Sequence, residues 1–178
     1  MKNLFTTRRL CRAGIIAALY VVLTWVFSAL AYNGFLQIRP AEALCILPLF
    51  FPEAVPALTV GCIIANLGSY FAIYDVPIGG AATLLAALST YFIGKLLKKD
   101  GGKIVLGGLP PVLFNAFIIP LVIVFLCGDM GGQATATGAY FFFAASLAVT
   151  ESVWVYALGV PLYFTVKRLR EKNLPYFL

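Results

Sequence analysis

The sequence predicts an all-α integral membrane protein: a bundle of six transmembrane helices, with both termini in the cytoplasm and a short or kinked second helix. Three observations lead to this fold class. Apolar residues make up 62% of the 178 residues and charged residues only 11%, against about 45–50% and 25% in ordinary globular domains. Long apolar runs recur along the chain. The basic residues cluster between these runs, as they do in membrane proteins.

The apolar runs define the six helices. A helix needs about 20 apolar residues to cross the hydrocarbon core, and the run from Ala13 to Tyr32 has this length and no charge. Short polar, glycine or proline breaks separate the later runs, which are residues 41–52, 57–74, 78–94, 104–126 and 139–166. We therefore expect a single membrane domain over residues 1–178. Its parts are a cytoplasmic N-terminus (1–12), the six helices (13–166) and a cytoplasmic C-terminus (167–178).

The basic residues set the orientation. Twelve of the thirteen form three clusters, which are Lys2, Arg8, Arg9 and Arg12; Lys95, Lys98, Lys99 and Lys103; and Lys167, Arg168, Arg170 and Lys172. Because basic residues beside membrane helices stay in the cytoplasm, each interval between clusters holds an even number of crossings. Four crossings fit the first interval and two fit the second.

The second apolar segment, residues 41–52, is too short for an ordinary crossing. Twelve helical residues rise only about 18 Å, against a core of about 30 Å. The segment is either a kinked helix extended through Pro52 and Pro56 or partly re-entrant and shielded by its neighbours. Two crossings in the first interval remain the alternative.

Composition excludes several classes of protein. The chain has no histidine and four widely spaced cysteines with no CxxC pair, so neither a metal site nor a disulfide framework is expected. It has no GxxxxGK[ST] loop for ATP and no nucleophile with a positioned base. The basic residues form no patch for nucleic acid. We therefore expect no enzyme, metal, cofactor or nucleic-acid partner, but a protein embedded in the lipid bilayer.

Ionisable groups inside membrane helices are costly, and each one is a candidate functional residue. Glu151 lies in the middle of the last apolar run, and Tyr140 shares its helical face at spacings of three and four. Either Glu151 contacts a ligand, or it is a protonated side chain hydrogen-bonded to a neighbouring helix. Asp75 and Asp129 are instead expected to be cap and loop residues.

Four more polar residues join Glu151 as candidates. Arg39 and Glu42 lie at the outer end of the second segment, where they could also serve as an i, i+3 ion pair and a helix-end acid. Asn66 and Asn115 lie inside helices, where interhelical hydrogen bonding is the alternative. On the six-helix topology these residues line one small pocket open to the outside. Two acids facing one arginine favour a neutral or cationic ligand, and aromatic faces could stack on a planar ring.

Small residues at spacing four mark close helix packing. On the first helix, Ala13 and Ala17 leave a smooth face just after the first basic cluster. This face is either a packing seam inside the bundle or a docking surface for another membrane protein.

Several short motifs carry a family resemblance. They are Leu36-Gln37-Ile38-Arg39-Pro40-Ala41-Glu42-Ala43-Leu44, Ile64-Ala65-Asn66-Leu67-Gly68, Gly79-Gly80-Ala81-Ala82-Thr83-Leu84, Phe114-Asn115-Ala116 and Thr150-Glu151-Ser152. Over about residues 10–168 the chain resembles the QueT family, the substrate-binding S components of energy-coupling factor (ECF) transporters that take up a queuosine precursor. The Arg-Pro-Ala-Glu segment is the most specific of these motifs.

The resemblance implies a six-helix S-component fold with a ligand pocket near the outer side. It implies 7-aminomethyl-7-deazaguanine or a close relative as ligand. It also implies a partner energy module, made of a membrane coupling protein and two ABC ATPases, that docks on an AxxxA motif matched by Ala13 and Ala17. Rival interpretations are a stand-alone proton-coupled permease with Glu151 as the relay, a membrane enzyme using Glu42 and Glu151, and a structural assembly partner.

Overall fold

The computed structural model describes residues 6–32 and 37–172, and the regular structure of these residues is helical throughout. Its elements are α1 (Thr7–Val26), α2 (Ser28–Ala31), a 3₁₀ helix (Pro40–Leu49), α3 (Ala54–Asn66), α4 (Ala72–Leu96), α5 (Asp100–Leu121), a π-helical turn (Val122–Leu126), α6 (Ala136–Ala157) and α7 (Gly159–Glu171). Lys2 of the first basic cluster, Leu36 of the first motif and residues 173–178 of the expected C-terminal tail lie outside the described residues.

Four helical stretches are long and apolar enough to cross a membrane, and they are Thr7–Val26, Ala72–Leu96, Asp100–Leu126 and Ala136–Glu171. Two shorter apolar helices, Pro40–Leu49 and Ala54–Asn66, lie between the first and second of these. Large apolar side chains such as Ile15, Phe92 and Phe117 face outward from the bundle, as expected for surfaces in contact with lipid. The protein is therefore an integral membrane protein of helical type. Each predicted apolar run overlaps one of these six stretches, but the run 57–74 extends past the end of α3 at Asn66 into the first turn of α4.

The 3₁₀ helix Pro40–Leu49 is the centre of the bundle. Its residues 40–48 are all buried, and it packs against α1, α3, α4, α5, α6 and α7. Ten residues at about 2.0 Å each rise about 20 Å, and Pro48 lies inside the helix. The segment is thus a short, enclosed 3₁₀ helix, and this placement puts Glu42 in the interior.

Two glycines make room for the inner end of the 3₁₀ helix. A Cβ atom at Gly94 of α4 would lie 3.0 Å from the Leu49 Cα atom, and one at Gly107 of α5 would lie 2.8 Å from Leu49 Cδ2. The Thr90 hydroxyl donates a 2.8 Å hydrogen bond to the Gly107 carbonyl and joins the same two helices. Leu49 therefore closes the gap between α4 and α5.

Ion pairs tie the elements together at the end of the bundle that carries the basic clusters. Glu53, just before α3, is buried and lies 2.6 Å from the Arg12 guanidinium of α1. The Arg12 guanidinium also lies 4.5 Å from the centre of the Phe51 ring. At the start of α5, Asp100 pairs with Lys167 of α7 at 2.5 Å. These contacts fix the loops at that end against α1 and α7.

Candidate functional site

Glu42 lies in the first turn of the 3₁₀ helix and is only 2% exposed. The Tyr20 hydroxyl of α1 donates a 2.6 Å hydrogen bond to its Oε1 atom. The Cys45 thiol, one 3₁₀ turn along the same helix, donates to its Oε2 atom at 3.2 Å. Both carboxyl oxygens of Glu42 therefore have donors within the protein.

Glu151 of α6 is equally buried, at 2% exposure, but its carboxyl group is not saturated. The Asn115 side chain of α5 forms a hydrogen bond with it, and both Glu42 and Arg39 act on it electrostatically. Its Oε2 atom is buried and has no hydrogen-bond partner among the described residues. A buried acceptor without a donor costs about 1–3 kcal/mol, more for a charged group. Glu151 is thus the acceptor that a bound molecule could satisfy.

Arg39 lies between α2 and the 3₁₀ helix and is 7% exposed. Its Nε atom donates a 3.0 Å hydrogen bond to the Ala31 carbonyl, and its guanidinium lies 5.8 Å from the centre of the Tyr32 ring. Burial by itself lowers the pKa of Arg39, but the acidic groups around it, Glu42 and Glu151 among them, raise the pKa above its usual value. One guanidinium thus faces two buried carboxyl groups.

Asn66 ends α3 and connects it to the first turn of α4. Its Nδ2 atom donates to the Asp75 carbonyl at 2.9 Å and lies 3.5 Å from the Cys62 sulfur. A Cβ atom at Gly79 would lie 2.5 Å from this nitrogen, so α4 requires glycine there. The Asn66 amide therefore holds two helix ends together beside the polar cluster.

A cavity of about 90 Å³ lies beside this cluster, at the end of the bundle opposite the basic clusters. Its lining residues are Tyr32, Gln37, Arg39, Ser69, Tyr70, Phe71, Asp75, Ile119, Ile123, Cys127 and Asp129. Arg39 belongs to both the cavity and the cluster, and Ile119 follows Asn115 by one turn of α5. The cavity therefore adjoins the cluster that contains Glu151. Its volume is below the ~300–1,000 Å³ of typical small-molecule pockets.

The structure brings together most of the predicted pocket residues. Four of these residues interact with one another, and they are Arg39, Glu42, Asn115 and Glu151. Asn66 lies at the edge of their cluster. Tyr140 packs against a separate apolar cluster that includes Val124, and its hydroxyl donates a 3.2 Å hydrogen bond to the Phe117 carbonyl. Eleven helical positions, or roughly 16 Å along α6, separate it from Glu151.

Sequence reasoning missed other polar groups of the site. Tyr20 lies in an uninterrupted apolar run, and nothing in its spacing indicates a partner 22 positions away. Asp75 accepts a hydrogen bond from the Ser69 hydroxyl, and Asp129 accepts one of 2.9 Å from the Gly131 amide. Both are helix-end or loop residues, as expected, but they also line the cavity. Their position beside long apolar runs is the signal that could have identified them.

Ala13 and Ala17 are half-buried and pack against the core of the bundle. A Cβ atom at Gly61 of α3 would lie 3.1 Å from the Ala17 carbonyl oxygen, so α1 and α3 pack closely there. Both alanines also line an apolar groove of about 410 Å³ between α1 and α3, with Arg9 and Glu53 among its other lining residues. The face thus contributes to packing inside the bundle and also to an open surface.

An apolar helical bundle with a buried, incompletely paired polar cluster beneath a cavity is the arrangement of a membrane transport protein. A model of the family described as QueT transporter matches residues 10–168. The chain therefore belongs to the QueT transporter family, which agrees with the family resemblance of its motifs. The family is one of transporters and not of enzymes, and the protein is a membrane protein.

One curated relative is the queuosine precursor transporter QueT of Lactococcus lactis subsp. cremoris (strain MG1363). It is 42% identical over 73 residues, which are 40% of this chain and 42% of the relative. The aligned part thus spans less than half the length of that protein. No solved structure matches the chain.

Proposed function

We propose that this chain is the substrate-binding membrane subunit of an ECF-type importer. It captures a queuosine precursor, 7-aminomethyl-7-deazaguanine or a close relative, from outside the cell and delivers it inward with an ATP-driven energy module. Family membership and the name of the relative support the substrate class. The buried Oε2 atom of Glu151, which has no donor among the described residues, is the structural observation that carries the proposal.

The chemistry of the cluster suits a guanine-like base. Such a base presents two adjacent N–H donors on one edge, and a carboxylate accepts two such bonds side by side. Glu42 already receives hydrogen bonds from Tyr20 and Cys45. Glu151 is therefore the carboxyl group that binds this edge, with Asn115 positioning it. Because Arg39 offsets the charge of Glu42, the second acid favours a ligand with a cationic amine.

The outer cavity is the entry path in this proposal. Asp75 and Asp129 line it and attract a cation from the outside. A cavity of about 90 Å³ is smaller than a bicyclic base needs. Entry therefore requires side chains that line the cavity, such as Arg39, to move.

The proposed topology has six crossings with both termini in the cytoplasm. In the folded bundle, the described residues of the three basic clusters lie at the beginning of α1, around the α4–α5 connection and at the end of α7. The positive-inside rule places all three on the cytoplasmic side. The cavity is bounded by the opposite ends of the helices, so in the proposed topology it opens to the outside.

The groove between α1 and α3 is the proposed docking surface for the energy module, a membrane coupling protein with two ABC ATPases. Ala13, Gly14 and Ala17 line it without large side chains. Within lipid, such small residues allow a partner helix to approach closely. The family resemblance supports this docking role, which does not depend on the identity of the substrate.

Calorimetric titration of the purified, ligand-free protein tests the substrate. The panel is 7-aminomethyl-7-deazaguanine, riboflavin, thiamine and biotin, and the variants are Glu151→Gln and the control Glu171→Gln, whose carboxylate is exposed on α7. We expect tight binding of the deazaguanine alone, lost in Glu151→Gln and kept in Glu171→Gln. Binding of riboflavin, thiamine or biotin instead would refute the proposed substrate. If the folded protein bound none of the four compounds, the proposed site would be refuted.

A stand-alone proton-coupled permease is the second candidate, because Glu151 and Glu42 are two buried carboxyl groups in electrostatic contact. Such a carboxyl pair is the kind of group that relays protons in membrane carriers. Uptake of the deazaguanine into liposomes that contain only this chain, driven by a pH gradient without ATP, would select the permease over the importer subunit.

A further inference from the structure

A second groove runs along the opposite side of α1, where this helix meets the 3₁₀ helix and α7. Its volume is about 530 Å³. Over most of its length the lining is apolar, with Leu19 of α1, Leu44 of the 3₁₀ helix and Leu162 of α7. Arg8 and Arg12 line it near the beginning of α1. The groove is therefore apolar over most of its length and charged at one end.

The charged end is strongly positive. Arg12 and Arg170 both lie over the Phe51 ring, at 4.5 and 5.8 Å from its centre. Arg8 is exposed at the same end of α1. Glu53 is paired with Arg12, and no acidic side chain among the described residues lines the groove. Two guanidinium groups thus lie against the Phe51 ring, and a third, that of Arg8, is exposed at the same end of α1.

We infer that this groove binds an anionic phospholipid. One acyl chain lies along the apolar part, and the phosphate group contacts Arg8 and Arg12. Lipid tails are as apolar as the groove, so the apolar part does not distinguish one phospholipid from another. The guanidinium groups do, because they pair with phosphate oxygens and attract a headgroup with net negative charge.

The charge complementarity favours a lipid over a protein helix as the occupant. Basic pockets between membrane helices on the cytoplasmic side bind anionic lipid headgroups. The assignment to the cytoplasmic leaflet rests on the proposed orientation, whereas the preference for an anionic headgroup does not. The site is separate from the polar cluster and from the groove between α1 and α3.

Native mass spectrometry of the full chain tests the headgroup preference. The protein is titrated with phosphatidylglycerol or phosphatidylcholine that carry the same acyl chains, without any deazapurine. The matched variants are Arg8→Gln and Arg9→Gln. Each removes one positive charge from neighbouring positions of α1, but Arg8 lines this groove whereas Arg9 lines the groove between α1 and α3. One basic residue near the membrane surface corresponds to roughly a fivefold change in affinity.

We expect the wild-type chain and Arg9→Gln to retain phosphatidylglycerol in preference to phosphatidylcholine. Arg8→Gln should weaken phosphatidylglycerol binding about fivefold and leave phosphatidylcholine binding unchanged. Equal retention of the two lipids by the wild-type chain, or equal effects of the two variants, would overturn the proposal and leave the groove to a protein partner.

Fluorescence quenching by brominated lipid tests whether the bound phospholipid lies in the groove. Leu19 lines the groove, whereas Val22, one turn further along α1, is exposed and does not. In Leu19→Trp, brominated phosphatidylglycerol should quench the new indole at a lower lipid fraction than in Val22→Trp, and brominated phosphatidylcholine should quench both alike. The same dependence on phosphatidylglycerol at both positions would contradict a bound lipid. Because no substrate is present, failure here leaves the proposed transport function untouched.

Discussion

The Tyr20 hydroxyl donates a 2.6 Å hydrogen bond to Oε1 of Glu42 and joins α1 to the central 3₁₀ helix. With the Cys45 thiol on the other oxygen, Glu42 is fully paired. Glu151 is not, since its Oε2 atom has no partner among the described residues. The two buried carboxyl groups therefore differ in their hydrogen bonding, and on this difference we propose that Glu42 holds the cluster in place and that Glu151 binds the ligand.

Removing the Tyr20 hydroxyl should destabilise the fold. In Tyr20→Phe, Glu42 keeps its burial but loses a donor, and an unpaired buried acceptor costs about 1–3 kcal/mol. We expect a lower midpoint of thermal unfolding in detergent and weaker binding of the deazaguanine. Tyr74→Phe, at a partly exposed tyrosine of α4, is the control. Equal midpoints for Tyr20→Phe and Tyr74→Phe would show that the hydrogen bond does not stabilise the fold.

The two carboxyl groups should respond in opposite ways to amide substitution. Glu42→Gln replaces one acceptor oxygen with an NH₂ group that faces the Tyr20 or Cys45 donor, and it should lower stability by about 1–3 kcal/mol. Glu151→Gln removes an incompletely paired buried acid, so stability should be unchanged or higher while ligand affinity falls at least tenfold. Thermal unfolding and calorimetry on both variants check this. A loss of stability in Glu151→Gln that matches that of Glu42→Gln would contradict the division of roles.

Most of the fold could be predicted because membrane insertion depends on features that the sequence displays directly. Apolar runs and basic clusters indicated the helical segments. The conformation of Pro40–Leu49 could not be predicted, since a segment buried on every side has no periodic polar face from which a helix type can be inferred. Its packing depends on the space that Gly94 and Gly107 leave for Leu49, and these glycines lie far along the chain.

Close packing between α1 and α3 should depend on Gly61. A Cβ atom there would lie 3.0 Å from the Tyr20 Cβ atom and 3.1 Å from the Ala17 carbonyl oxygen. Gly61→Ala should therefore lower the unfolding midpoint and disturb Tyr20. At Gly14, an added Cβ atom would have no neighbour within 4 Å, so Gly14→Ala should raise stability by about 0.5–1 kcal/mol. The opposite order of the two midpoints would contradict this packing.

The ion pairs should differ in strength according to burial. Glu53→Gln leaves the Arg12 guanidinium without its buried carboxylate, and breaking such a pair costs about 3–5 kcal/mol. Glu171 lies 3.8 Å from Lys167 at an exposed position, so Glu171→Gln should change stability by less than about 0.5 kcal/mol. Thermal unfolding of both variants at low and high salt measures the difference. Similar losses in the two variants would show that the Arg12–Glu53 pair is not stabilising.

The candidate site could be predicted in part for the same physical reason as the fold. Charged and amide groups are rare inside apolar runs, so Arg39, Glu42, Asn115 and Glu151 were identifiable one by one. Their partners were not identifiable, because Tyr20 resembles any other tyrosine of a membrane helix. Helical spacing alone suggested Tyr140, which lies about three turns of α6 from Glu151, so its contact with a ligand stays a prediction.

Filling the groove between α1 and α3 should block assembly without harming the fold. Gly14 lines this groove and has open space around it, so the fold accommodates Gly14→Leu while the side chain occupies the surface proposed for the coupling protein. Ala18→Leu adds the same side chain at an exposed position of α1 that lines neither groove. We expect Gly14→Leu to bind the deazaguanine with wild-type affinity but to lose co-purification with the energy module, and Ala18→Leu to keep both. Assembly of Gly14→Leu with the module at the wild-type level would place the docking surface elsewhere.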